Sequence, residues 1–292
     1  MIVAKKYLRS VILLLAFLAC AARAEDFFFN SAGVRIHYTV EGSGEPVVLI
    51  HGFGANIAFN WAQPGIIHGL ADTYQVIALD NRGHGQSDKP HDPKEYGVKM
   101  VDDVIRLMDH LKISKAHIVG YSMGGRIAGM LLAGHPDRLW TVTIGGAGWM
   151  DARDLETRRD LTTRLAESLE QGKGLGPLML YLTPLGAPPP TAEQIEAANK
   201  TFLAWNDPLA LAAVTRGLNV MQPAEAQLRA NKLPALALAG ELDPVRAQAE
   251  KLATVTPNLK LIVIPGANHM TACANPEFLK NLKAFLAEHP AK

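Results

Sequence analysis

The chain has 292 residues, 48% hydrophobic and 20% charged, which suits one large domain or one domain carrying a sizeable insertion. Its 29 Lys and Arg offset 28 Asp and Glu. That small, mixed balance leaves no basic footprint for nucleic acid or an anionic membrane surface.

The first elements in chain order are those of a leader. "MIVAKKYLRS" carries Lys5, Lys6 and Arg9, and "VILLLAFLACAA" follows as an apolar run too short for a comfortable membrane span. Ala22-Arg23-Ala24 then forms an A-x-A cleavage pattern ahead of Glu25-Asp26. Residues 1–24 are therefore predicted to be a signal peptide cut after Ala24, for a periplasmic or secreted protein. Two alternatives stay open. "FLAC" loosely resembles a lipoprotein signal, with Phe17 where leucine is usual and a lipid anchor at Cys20; the segment could also stay as an uncleaved anchor. Cleavage after Ala24 leaves 25 basic and 28 acidic side chains, a net charge of −3. Only Cys273 survives it, so the mature chain can form no internal disulfide. A lone cysteine of this kind reads as a small buried residue.

From Phe27 onward strand-like and helix-like segments alternate. "VRIHYTV" (34–40) alternates like a half-exposed strand. The runs 46–50, 74–79, 116–120, 139–145, 234–240 and 259–265 are short and apolar, as in parallel strands covered on both faces. Helical candidates lie at 96–112, 123–134, 246–254 and 275–288. The alternation predicts an α/β fold with a doubly wound, mostly parallel sheet. It breaks after Gly145. Residues 147–231 hold helical stretches such as "DLETRRDLTTRLAESLEQG" and "DPLALAAVTRGLNVM", separated by the loop "TPLGAPPP", whose prolines cannot continue a helix. This segment is expected to be a helical cap inserted between two halves of one core, 25–146 and 232–292.

"GYSMGG" (120–125) lies where the strand "AHIVG" meets the helix "RIAGMLLA". The spacing G-x-S-x-G arises by chance in about one chain in ten of this length. Its strand–helix setting is that of a tight turn lifting a serine hydroxyl, with Gly120 and Gly124 leaving room for the turn. Ser122 would need a base. His269 follows the strand "LKLIVIP", and Asp243 follows the strand ending at Gly240, both at the carboxyl end of the expected sheet, where reactive groups gather. Glu241 is a substitute for Asp243. No H-E-x-x-H or paired-cysteine spacing appears, and no phosphate-binding glycine signature sits at a strand–helix junction. No metal and no cofactor are therefore expected.

The motifs "LIHGFG", "LDNRGHGQSD", "GYSMGG", "AGELDPV" and "IPGANHM", in this order, resemble those of the α/β-hydrolase superfamily and cover nearly all of 25–292 outside the cap. The order Ser122, Asp243, His269 is the family's triad order. The resemblance implies an oxyanion hole from the backbone N–H groups of Phe53 and Met123, and gives His51 a bracing role. It also implies that "DNRGHGQS" is a structural turn, where Asp80 and Arg82 invite a local salt bridge. Asn268 and Asn81 depart from the usual residues. A serine at this turn disfavours epoxide hydrolases and haloalkane dehalogenases, which carry aspartate there. The implied activity is hydrolysis of a small-molecule carboxylic ester through an acyl-enzyme. C–C bond hydrolase, lactonase and perhydrolase chemistry stay open, as does a non-catalytic binding role. Trp149, Met150, Met179, Leu180, Tyr181, Leu182 and Trp205 are candidates for an acyl pocket, at least half of them expected instead to seal the cap onto the core.

Overall fold

Residues 25–291 are described by a computed structural model; the expected leader, with Cys20, lies outside the described residues. An antiparallel hairpin, β1 (Glu25–Ser31) and β2 (Val34–Glu41), comes first. Then follow β3 (Glu45–Ile50), a π-helical turn (Ala58–Ala62), α1 (Ile66–Ala71), β4 (Tyr74–Leu79), α2 (Val98–His110), β5 (Ala116–Tyr121), α3 (Met123–Gly134) and β6 (Leu139–Gly145). Five helices come next: α4 (Ala152–Glu170), α5 (Gly176–Tyr181), α6 (Ala192–Trp205), α7 (Pro208–Gly217) and α8 (Glu225–Arg229). The sheet resumes with β7 (Ala235–Gly240), α9 (Arg246–Val255), β8 (Leu259–Ile264) and α10 (Pro276–Glu288). The eight strands are ordered β1-β2-β4-β3-β5-β6-β7-β8, antiparallel at β1–β2 and β2–β4 and parallel elsewhere.

Alternation along the central strands builds a core on each face. Val48, Ile50 and Ile118 pack with Val104 and Leu107 of α2 and Ile127 and Leu131 of α3. Val47, Leu49 and Val119 point the other way, to Ile66 and Leu70 of α1 and Phe278 and Leu282 of α10. The sheet is thus doubly wound.

Two strands depart from expectation. β1 was not foreseen, because Glu25, Asp26 and Asn30 interrupt its apolar pattern. It is an outermost antiparallel strand with Phe28 40% exposed, so one face needs no cover. β8 reads as a covered central strand but lies at the opposite edge, with Val263 37% exposed.

The helical region between β6 and β7 is inserted as expected. Asp151 and Asp154 form a capping box at the start of α4, and Thr191 and Gln194 another at α6. "TPLGAPPP" is a loop between α5 and α6. Lys251 of α9 reaches both Asp151 and Asp154 at 2.6 Å, and Leu185 N–H donates to the Leu242 carbonyl at 2.9 Å. These contacts pin the region over the carboxyl ends of β5 to β8.

Candidate active site

Ser122 stands between β5 and α3 with φ 54° and ψ −110°, a conformation unusual for a residue with a side chain and costing on the order of 1–3 kcal/mol. The surroundings hold it there. Ser122 N–H donates to the Gly145 carbonyl at the end of β6 (2.8 Å), and the Ser122 carbonyl accepts from Arg126 N–H (3.1 Å). A Cβ at Gly120 would run into the Gly124 carbonyl, and one at Gly124 into the Ile50 carbonyl. Both glycines are needed for α3 to start this close to β3 and β5.

The three residues singled out in the sequence come together. His269 Nε2 lies 3.0 Å from Ser122 Oγ, and His269 Nδ1 lies 2.9 Å from Asp243 Oδ2. The second Asp243 oxygen accepts from Val245 N–H at 2.9 Å. Asp243 is fully buried and His269 nearly so. A carboxylate accepts only, so it keeps the imidazole proton on Nδ1 and leaves Nε2 free to accept from the serine.

Neighbouring loops aim this row. Asn268 Oδ1 accepts from the N–H groups of Met270 and Thr271, forming the tight turn that carries His269. Tyr121 donates its hydroxyl to the His269 carbonyl at 2.5 Å, and burial keeps that phenol protonated by pushing its pKa well up. Glu241 is not part of the row: it accepts from Gly266 N–H at 2.8 Å on the exposed side of the same loop.

The backbone N–H groups of Phe53 and Met123 donate to no protein acceptor among the described residues, and both residues line the cavity beside Ser122. His51 braces the first of them. Its Nδ1–H donates to the Gly52 carbonyl (2.7 Å), and its Nε2 accepts from Asn81 N–H (3.0 Å). The Gly52 carbonyl and the Phe53 N–H belong to one rigid peptide unit, so fixing one fixes the other. Asn81, the departure in the sequence, donates its side chain to the His51 carbonyl at 3.1 Å. Asn60, in the π-helical turn, accepts from Gly52 N–H at 2.8 Å. The sequence offered no signal for Asn60.

The expected Asp80–Arg82 pair is not formed. Arg82 donates to both Asp103 oxygens on α2 (2.7 and 2.6 Å) and to the Glu95 carbonyl. Asp80 instead faces His37 (2.8 Å) and accepts from Ile57 and Gln86 N–H groups. Burial raises the Asp80 pKa, but the His37 hydrogen bond and the nearby His51 outweigh it and hold the carboxyl below its ordinary value. Asp80 and Arg82, two positions apart on a tight turn, point away from each other, which sequence proximity conceals. Cys273 is buried, its thiol pushed up to about 12 by that burial, and it acts as a small packing residue beside Asn60.

Above Ser122 lies a cavity of about 1290 Å³, walled by the loop after β3, α3 and the inserted helices. Of the seven candidate pocket residues, Met179, Tyr181, Leu182 and Trp205 line it. Met150 is buried and Trp149 packs against the core, while Leu180 is exposed to solvent. Fewer than half therefore seal the cap to the core. Arg126 and Arg158 also line the cavity and were not foreseen. The signal for Arg126 was a charge opening the otherwise apolar helix "RIAGMLLA".

A strained serine after β5, an acid after β7, a histidine after β8 and a helical insertion after β6 define a class. The chain belongs to the α/β-hydrolase fold family, whose model matches residues 45–276. Among curated proteins, it is 36% identical over 121 residues to the 2-hydroxymuconate semialdehyde hydrolase of Pseudomonas sp. strain CF600, covering 40% of this chain and 42% of that one. The first curated relatives are matched over only 34–48% of their own length. Among solved structures, a thermophilic esterase from Thermogutta terrifontis is 25% identical with TM-score 0.70, over 92% of this chain and all of that one. Est816, described as an N-acyl homoserine lactone degrading enzyme, is 28% identical with TM-score 0.66, over 89% and 100%.

Proposed function

We propose that the protein is a serine-dependent hydrolase of small carboxylic esters. One observation carries this reading: the unbroken row Ser122 Oγ, His269 Nε2, His269 Nδ1, Asp243 at 3.0 and 2.9 Å on the floor of a large cavity. His269 takes the Ser122 proton as Oγ attacks the carbonyl carbon, and Asp243 stabilises the imidazolium. The Phe53 and Met123 N–H groups hold the developing oxyanion. His269 then protonates the leaving alkoxide, and water activated by the same imidazole releases the acid and regenerates Ser122. The likeness to an esterase of known structure supports the ester reading. The leader-like residues 1–24 support action after export.

The test is hydrolysis of p-nitrophenyl esters from acetate to palmitate by wild type and Ser122→Ala protein. Protein recovered from a periplasmic fraction, with Glu25 as its first residue, would serve for it and would check export. The expected result is serine-dependent release, with kcat lowered by at least about 10³-fold in the variant. Turnover that survives the substitution overturns the mechanism.

A further inference from the structure

Arg126 and Arg158 do not belong in an apolar acyl pocket. Both line the cavity that holds Ser122, and no Asp or Glu among the described residues lines it with them. Arg126 spends one guanidinium nitrogen, Nη2, on the carbonyls of Leu218 and Met221 at 2.9 Å each. Its Nε and Nη1 are buried without any acceptor among the described residues. The Arg158 side chain, on α4, donates no hydrogen bond to a described residue, and its Nε is likewise buried without an acceptor.

A structural arginine in this fold looks different. Arg82 is fully buried where Arg126 and Arg158 are half-buried, and its guanidinium is met by both oxygens of Asp103 and by a carbonyl. Tying α3 to the chain after α7 accounts for Nη2 of Arg126 and for nothing of Arg158. Burial pushes the Arg126 pKa well down, and the charge of Arg158 adds to that, so the two cations also repel each other. Burial lowers Arg158 as well. Two like charges, half-buried together with buried and open donors, are costly unless an anion joins them.

The position of the pair relative to the nucleophile narrows the anion. Arg126 follows Ser122 by four positions, its backbone N–H donates to the Ser122 carbonyl, and both residues line the same cavity. Tyr181 lines the same space; its hydroxyl accepts from Gln248 at 3.2 Å and keeps its own proton to donate. A planar, singly charged carboxylate matches the open guanidinium edges, and it is cheaper to bring into a mostly apolar cavity than a dianionic phosphate.

We infer that the substrate is itself an anion: a short-chain half-ester of a dicarboxylic acid, its free carboxylate held by Arg126 and Arg158 while Ser122 attacks the ester carbonyl. This deepens the ester-hydrolase reading and rests on it for the reaction, although the carboxylate site can be tested without turnover. Water adds across the acyl C–O bond, and each event releases the alcohol, the dicarboxylate and one proton.

Two measurements test the inference. In a pH-stat, monoethyl succinate and ethyl butanoate differ chiefly in the carboxylate. The wild type is expected to favour the half-ester by at least about tenfold in kcat/KM, and Arg158→Gln to lower that ratio by at least about tenfold. Arg158→Lys, which keeps the charge, is expected to restore part of the ratio. By calorimetry, Ser122→Ala protein is expected to bind glutarate, and the same protein also carrying Arg158→Gln to bind it at least about tenfold more weakly. Arg126→Met is expected to lower the same half-ester ratio by at least about tenfold; should it fail to fold, Arg158→Gln on the inserted region still carries both measurements. Equal or better use of ethyl butanoate by wild type, or glutarate binding indifferent to Arg158, overturns the inference. Arg158-dependent glutarate binding with no ester turnover upholds the anion site and removes the esterase reading instead.

Discussion

His51 makes two hydrogen bonds that together require a neutral imidazole with its proton on Nδ1. Burial lowers its pKa and favours that form. Replacing it with alanine would free the Gly52–Phe53 peptide to rotate, so that one oxyanion donor loses its aim. His51→Ala is expected to cut kcat for p-nitrophenyl butyrate by about 10- to 100-fold with little change in KM, because the donor acts mainly on the transition state. A change confined to KM would contradict this. The bracing role was legible at "HGFG"; the partner was not. Asn81 reaches His51 only because β4 lies beside β3 in the sheet. Arg82 likewise finds Asp103 through the packing of α2, twenty-one positions along the chain.

At the scale of elements, α3 is the part that positions Ser122, and its glycines are not equivalent. Gly124→Ala would drive a methyl into the Ile50 carbonyl, so α3 must shift away from β3. The expectation is loss of soluble protein, or of at least about 3 kcal/mol of stability, in keeping with severe overpacking of a core. Gly134, at the far end of the same helix, has open space and no unusual φ. Gly134→Ala is expected to raise stability by about 0.5–1 kcal/mol by restricting the unfolded chain. Urea midpoints for the two proteins check both signs. The glycine pattern around Ser122 was readable because a strand–helix turn makes local demands. The edge position of β8 was not, because a run of apolar residues does not say how many neighbours a strand has.

Across the whole molecule, buried histidines set the response to acid. His84 is held down to about 3, first by burial and then by the nearby His51. Burial also lowers His51 and His117. Each of the three binds its proton more readily in the unfolded chain, so each stabilises the fold at neutral pH and loses that stabilisation as pH falls below about 6.5. His37 has the opposite sign. Burial opposes its charge, but the hydrogen bonds to Asp80 and Asp26 raise its pKa overall. Its contribution is complete below about 6.5 and is lost as pH rises through the elevated value. Stability should therefore peak near neutrality and fall more steeply on the acid side. His84 alone supplies a slope on the order of 1 kcal/mol per pH unit between about pH 6 and 4. Urea unfolding from pH 4.5 to 8 measures this, and His84→Leu should flatten the acid limb. A stability curve that rises towards pH 5 would refute the account.

The sequence by itself determined the alternation of strands and helices, the place of the insertion, and the three residues whose side chains meet in the site. Each is encoded locally: by period, by a glycine-flanked turn, or by a loop at the end of an apolar run. Which residues share a boundary across that site was decided only by the tertiary structure. Arg126 and Arg158 read as a helix-opening cation and one of several charges on an amphipathic helix. They come together because α4, packed on α7, brings Arg158 to the same cavity as Arg126, with no Asp or Glu among the described lining residues. Burial, unpaired charge and the Gly52 peptide's orientation are properties of packing between distant segments, and no spacing along the chain carries them.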